Sequence, residues 1–79
     1  MSLLTECTRG ESVMVRRVNA TGPLKQRFLS FGIMKGVRVS VLEFSANKST
    51  AEVKVGSMRI ALRREEAELI EVDPCGVAS

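Results

Sequence analysis

Pro23-Leu24-Lys25-Gln26-Arg27-Phe28-Leu29-Ser30-Phe31-Gly32-Ile33-Met34-Lys35-Gly36 reads as one short helix with its own start, its own stop and an exit into a strand. Pro23 suits the first helical position, where the missing N–H costs nothing and φ is already set. Gly32 suits the left-handed residue just past a helix end. Leu24, Phe28 and Phe31 recur at i, i+4 and i+7, which places them on one face. Ile33 follows the glycine, where a hydrophobic residue packs back onto the helix, here onto Phe28. Leu29 is left over. At about 100° per residue it points away from the other three.

Upstream, Thr8-Arg9-Gly10 is turn-like, and Ser12 to Val18 reads as a first strand with Val13 and Val15 on one face. Val18 breaks the alternation, so a bulge or bend is expected there. Asn19-Ala20-Thr21-Gly22 leads into the helix. Downstream, Gly36 turns the chain into a second strand, in which Val37, Val39 and Val41 alternate with Arg38 and Ser40. Leu42 and Phe44 then appear on the opposite parity, so this strand also bends, as barrel strands do.

Gly56-Ser57 is a Gly-X pair of the kind favoured in two-residue hairpins. Such a turn sets Val55 opposite Met58, Val53 opposite Ile60 and Ala51 opposite Leu62. All three pairs are apolar and share a face, as a register fixed by one buried side requires. The other face holds Lys54 opposite Arg59 and Glu52 opposite Ala61. Like charges directly opposite are mildly unfavourable, which points to a solvated surface or a basic contact. After Arg63, Arg64-Glu65-Glu66-Ala67 looks like one helical turn, and Leu69, Ile70 and Val72 make a last strand. The expected architecture is a mainly β, small SH3-like barrel of about five strands, with an α-helix inserted between the first two.

The 79 residues are read as one domain, with a core over residues 4–73 and a frayed tail at 74–79. Hydrophobic content of 44% and charged content of 27% are ordinary globular values. No apolar run approaches the length that spans a bilayer, and Met1-Ser2-Leu3-Leu4-Thr5-Glu6 lacks the basic and apolar regions of a signal peptide. The expected location is cytoplasmic. Net charge is +3, but it is uneven: residues 1–40 carry seven Lys or Arg against Glu6 and Glu11, while residues 41–79 carry five against seven acids. A surface drawn mainly from the first half would be basic.

Residue types argue against catalysis. There is no His and no Tyr, and the only Asp is Asp73. The serines lack a base in their sequence context. The glycines are scattered, with no phosphate-binding loop. No cofactor and no metal-ligating set is expected, because transition-metal sites draw on clustered His and Cys. Glu65, Glu66 and Glu68 form the densest acidic group. It reads as a solvated face, with a weak divalent-cation site as the alternative. Cys7 and Cys75 read as free thiols in a reducing cytosol, with a disulfide closing the termini as the alternative. Phosphate neutralisation by the basic residues would permit nucleic-acid binding. Single-strand binders add stacking aromatics, however, and only Phe28, Phe31 and Phe44 are present.

Residues 4–73 resemble the FeoA domain, the small cytosolic component of bacterial ferrous iron uptake. The resemblance rests on Leu4, Gly10, the Val13–Val18 strand and the run from Arg27 to Gly36. It continues in Ile60-Ala61-Leu62-Arg63 with Ala67, and in Ile70-Glu71-Val72. The chain departs from the family pattern at Phe28 and Phe31, where Leu is usual, and at Lys35, where Pro is common. The resemblance implies an SH3-like barrel in a stand-alone form without a helix-turn-helix. It also implies a role in assisting or regulating the membrane GTPase transporter FeoB through its cytosolic part, without membrane insertion. No catalytic, metal or cofactor residue carries over from the family. The alternative function is an SH3-like nucleic-acid binder. Oligomeric state is not legible.

Leu29 then has two readings. It is an ordinary exposed or loop-covered leucine, since much protein surface is apolar. Or Lys25, Leu29 and Met34 form an apolar spot with a basic rim, suited to docking on an acidic protein surface.

Overall fold

Six strands, each antiparallel to its neighbours, form one sheet in the computed structural model, which describes residues 2–73. The chain runs β1 (Ser2–Leu3), a 3-10 turn (Leu4–Glu6), β2 (Ser12–Val18), α1 (Gly22–Ser30), β3 (Arg38–Phe44), β4 (Thr50–Val55), β5 (Met58–Arg63), the single turn α2 (Arg64–Ala67) and β6 (Ile70–Val72). Strand order is β1-β6-β2-β3-β4-β5. This is the mainly β, SH3-like arrangement with a helix inserted after the first long strand. The sheet ends at β1 and β5 rather than closing into a full barrel.

The extra strand relative to the expected five is β1. It pairs Ser2 with Val72 and Leu3 with Glu71. Two residues are too few to display a period, so only the pairing reveals the strand. The expected tail at 74–79 lies outside the described residues, as does Cys75. Cys7 was expected as a free thiol; it is instead buried and disulfide-bonded. The reason is topological. Pairing of β1 with β6 brings the two ends of the described chain together, a neighbourhood that sequence separation conceals.

The hairpin register is the one expected. Val55 faces Met58, Val53 faces Ile60 and Ala51 faces Leu62, while Lys54 faces Arg59. Gly56 has φ +62° and Ser57 has no positive φ, as a type II′ turn requires. Ala51, Val53, Val55 and Leu62 are buried and Ile60 is half-buried. Met58, expected inward with them, is exposed: it lies on the edge strand β5, whereas its partner Val55 lies on β4, flanked by strands on both sides. The Lys54–Arg59 repulsion is offset by an ion pair from Arg59 to Glu52 at 3.0 Å.

Both long strands bend at bulges. In β3 the register shifts between Val41 and Glu43, which returns Phe44 to the core side. In β2 the shift falls between Val15 and Arg17, not at Val18. The break in alternation requires one parity change somewhere between Val15 and Val18, and the extra residue that supplies it is Arg16. Val18 is thereby returned to the core as a half-buried side chain. β2 also serves two neighbours in turn: Ser12–Met14 pair with β3, and Val15–Val18 pair with β6. The core, with Leu4, Val15, Phe28, Val39, Val53, Leu62, Ile70 and Val72 fully enclosed, fills the inner side of the bent sheet.

Candidate functional site

The inserted helix is built as its sequence specifies. Gly22, at φ +62°, turns the chain in, and Pro23 lies at the helix start. At the other end Gly32 has φ +82°. Its amide donates to the Leu29 carbonyl at 2.9 Å, and the Ile33 amide donates to the Phe28 carbonyl at 2.9 Å. These two bonds are those of a Schellman cap, which satisfies carbonyls that the helix end would leave open. Phe28 is the one fully buried residue of α1, with Leu24 and Phe31 half-buried beside it. Enclosing a side chain of that size is worth about 1.5–3 kcal/mol.

Leu29 and Met34 remain on the surface, 39% and 43% exposed, values that make them two of the few large apolar side chains facing solvent. They flank a cleft of about 470 Å³. Its floor includes Phe28, Ile33 and Val18, and its rim carries Arg16, Arg17, Lys25 and Lys35. Three segments meet there: the bulged end of β2, the outer face of α1 and the loop after the Schellman cap. That loop is itself fixed to β2, because Gly36 donates to the Val15 carbonyl and Val15 donates to the Val37 carbonyl, each at 2.8 Å.

The residues singled out from the sequence, Lys25, Leu29 and Met34, thus line one cleft. Sequence reasoning missed Arg16, Arg17 and Lys35. The first two reach the cleft through a bulge and a long-range approach of β2 to α1, neither visible in a local pattern. Arg16 pairs with Asp73 at 2.9 Å. Arg17, Lys25 and Lys35 form no ion pair among the described residues, so no described carboxylate neutralises their charge by direct contact.

The acidic group near α2 is not a uniform solvated face. Glu66 is buried. One carboxylate oxygen accepts from the Arg63 amide at 2.9 Å, and the other meets the Arg27 guanidinium. Glu68 pairs with Arg64 at 3.5 Å and Glu65 is exposed. Among the described residues no three His, Cys, Asp or Glu side chains converge as a metal site, and no helix is long and apolar enough to cross a membrane.

The family model described as the FeoA domain matches residues 2–74. The chain belongs to the FeoA family. A Helicobacter pylori relative named as an Fe(2+) transport protein A is 41% identical over 59 residues, covering 75% of this chain and 78% of its own length. A Porphyromonas gingivalis protein named as a fusion of Fe(2+) transport protein A with the Fe(2+) transporter FeoB is 27% identical over 70 residues. The match covers 89% of this chain and 8% of the fusion. Among solved structures, a Stenotrophomonas maltophilia FeoA complexed with zinc, described as an SH3 domain protein, superposes with a TM-score of 0.80 at 28% identity. That superposition covers 92% of this chain and 91% of the other. The FeoA assignment agrees with the bent antiparallel sheet and the inserted helix.

Proposed function

We infer that this FeoA domain is a non-enzymatic docking module that acts from the cytosolic side on an FeoB-type ferrous iron transporter. The observation that carries the reading is the cleft. It combines exposed Leu29 and Met34 with three cations that have no acidic partner in the described chain. An apolar centre with a charged rim is the anatomy of a protein interface rather than of a reaction site. The fused FeoA–FeoB relative supports the choice of transporter, because fusion places the two parts in one chain. Covalent linkage raises effective concentration, and a separate domain must replace it with a binding surface.

The cleft lacks the groups that a reaction would need. Among the described residues no His, Cys, Asp or Glu lines it, and the nearest carboxylate, that of Asp73, is held in an ion pair with Arg16 at 2.9 Å. The test is titration of the transporter's isolated cytosolic part with this domain, with and without guanine nucleotide. Saturable binding that survives excess RNA and is lost on Leu29→Asp supports the reading. Binding only to RNA, with steep salt dependence, favours a nucleic-acid binder instead.

A further inference from the structure

We propose that Glu66 is a positioning residue for the docking helix: its buried carboxylate, by holding Arg27, sets the rotation of α1 that turns Lys25 and Leu29 toward the cleft. The proposal rests on the docking reading for the use of that face, but its geometry stands by itself.

The α1 helix has a single fully buried anchor, Phe28. Leu24 and Phe31 pack half-buried beside it, so the core-facing side is set while the flanks of the helix stay open to solvent. Arg27, on one flank, adds a further constraint on the rotation of the helix through its ion pair with Glu66. At about 100° per residue, Lys25 and Leu29 each lie roughly 160° from Arg27, on the far side of the helix. Holding Arg27 against α2 therefore turns the Lys25–Leu29 side outward, over the bulged end of β2.

Glu66 suits this role. Its side chain is 8% exposed, whereas that of Arg27 is 44% exposed, so the carboxylate is the fixed member of the pair. The Arg63 amide holds one of its oxygens at 2.9 Å, which leaves the other aimed at Arg27. The carboxylate thus joins the end of β5, the turn α2 and the helix α1. Arg27 is further ordered by its guanidinium lying over the Phe31 ring, 5.5 Å from the centroid. A charge-assisted contact of this kind adds geometric definition as well as attraction.

The test uses Glu66→Gln in the full chain, with the double variant Arg27→Met/Glu66→Gln in reserve should the single change fail to fold. The double change removes the pair without leaving an unpaired buried charge. Residual dipolar couplings report the orientation of α1 relative to the sheet, and hydrogen exchange reports the amides of residues 24–30. The expected result is a reoriented or faster-exchanging α1 while the amides of β3, β4 and β5 keep their protection. Affinity for the transporter's cytosolic part should fall about tenfold or more. An unchanged helix orientation and exchange in a folded variant overturns the proposal. So does a reoriented helix that binds with wild-type affinity. Failure of the unmodified domain to bind would refute the docking reading instead, and the orientation measurement would still decide the role of Glu66.

Discussion

The Ile33 amide donates to the Phe28 carbonyl at 2.9 Å, and both side chains are enclosed in the same core. One turn of backbone therefore ends the helix, seats it and directs the next segment along the cleft. The left-handed residue that lets the chain reverse there is Gly32, at φ +82°.

Replacement of Gly32 by Val is expected to destabilise the domain by about 1–3 kcal/mol through backbone strain. A β-carbon at Gly32 would meet Val55 Cγ1 at 3.7 Å, an ordinary contact, so the strain is conformational and not a collision. In a domain of this size a loss of 1 kcal/mol lowers Tm by about 4–8 °C. Gly32→Ala should show most of the effect. An unchanged Tm for both variants would contradict the role assigned to the cap.

The β4–β5 hairpin makes a graded prediction. Val53 is fully buried, and Val53→Ala should cost about 1–4 kcal/mol through lost transfer energy and a cavity. Met58 is 43% exposed, and Met58→Ala should stay within about 0.5 kcal/mol. Ile60, half-buried, should fall between them. Urea denaturation of the three variants checks the order. Equal losses at Val53 and Met58 would contradict the observed sidedness.

What was legible in the sequence is what is decided locally. The Pro23 start, the Gly32 stop and the Gly56-Ser57 turn each act over a few residues, and the alternation around Val53 fixes the hairpin register without reference to the rest of the chain. The bends in β2 and β3 were legible as parity changes, but parity constrains a bulge only to a window. This is why the β2 bulge falls at Arg16 rather than at Val18. Contacts between distant segments carried no such signal. The β1–β6 pairing, the Arg27–Glu66 ion pair across 39 positions and the approach of Arg16 and Arg17 to α1 depend on closure of the fold. Half of the cleft was accordingly visible, as a stray leucine on an outer helix face. Its second wall was not.

The charge of the rim gives a kinetic prediction. Arg17, Lys25 and Lys35 have no carboxylate partner among the described residues, so their field extends into solvent. Association with an acidic partner surface should slow as salt rises from about 0.05 to 0.5 M, because screening shortens the reach of exposed charges. Lys25→Glu/Lys35→Glu should lower the association rate more than it raises the dissociation rate. Stopped-flow measurement across that salt range checks this. A rate independent of salt would show that the rim does not steer binding.

Leu29 and Phe28 are adjacent in sequence and opposite in consequence. Phe28 is fully buried, and Phe28→Asp should unfold the domain, since an unpaired carboxylate cannot be left in the core. Leu29 is 39% exposed, and Leu29→Asp places the same charge in water, with a stability change within about 0.5 kcal/mol. If the cleft is the docking surface, that substitution nonetheless abolishes binding to the transporter's cytosolic part. It removes the apolar centre, and the new carboxylate repels an acidic partner. Circular dichroism separates the folding effect and calorimetry the binding effect. A folded Leu29→Asp domain that binds with unchanged affinity places the interface elsewhere, and the Lys54–Arg59 face of the hairpin, exposed and basic, is then the surface to substitute next.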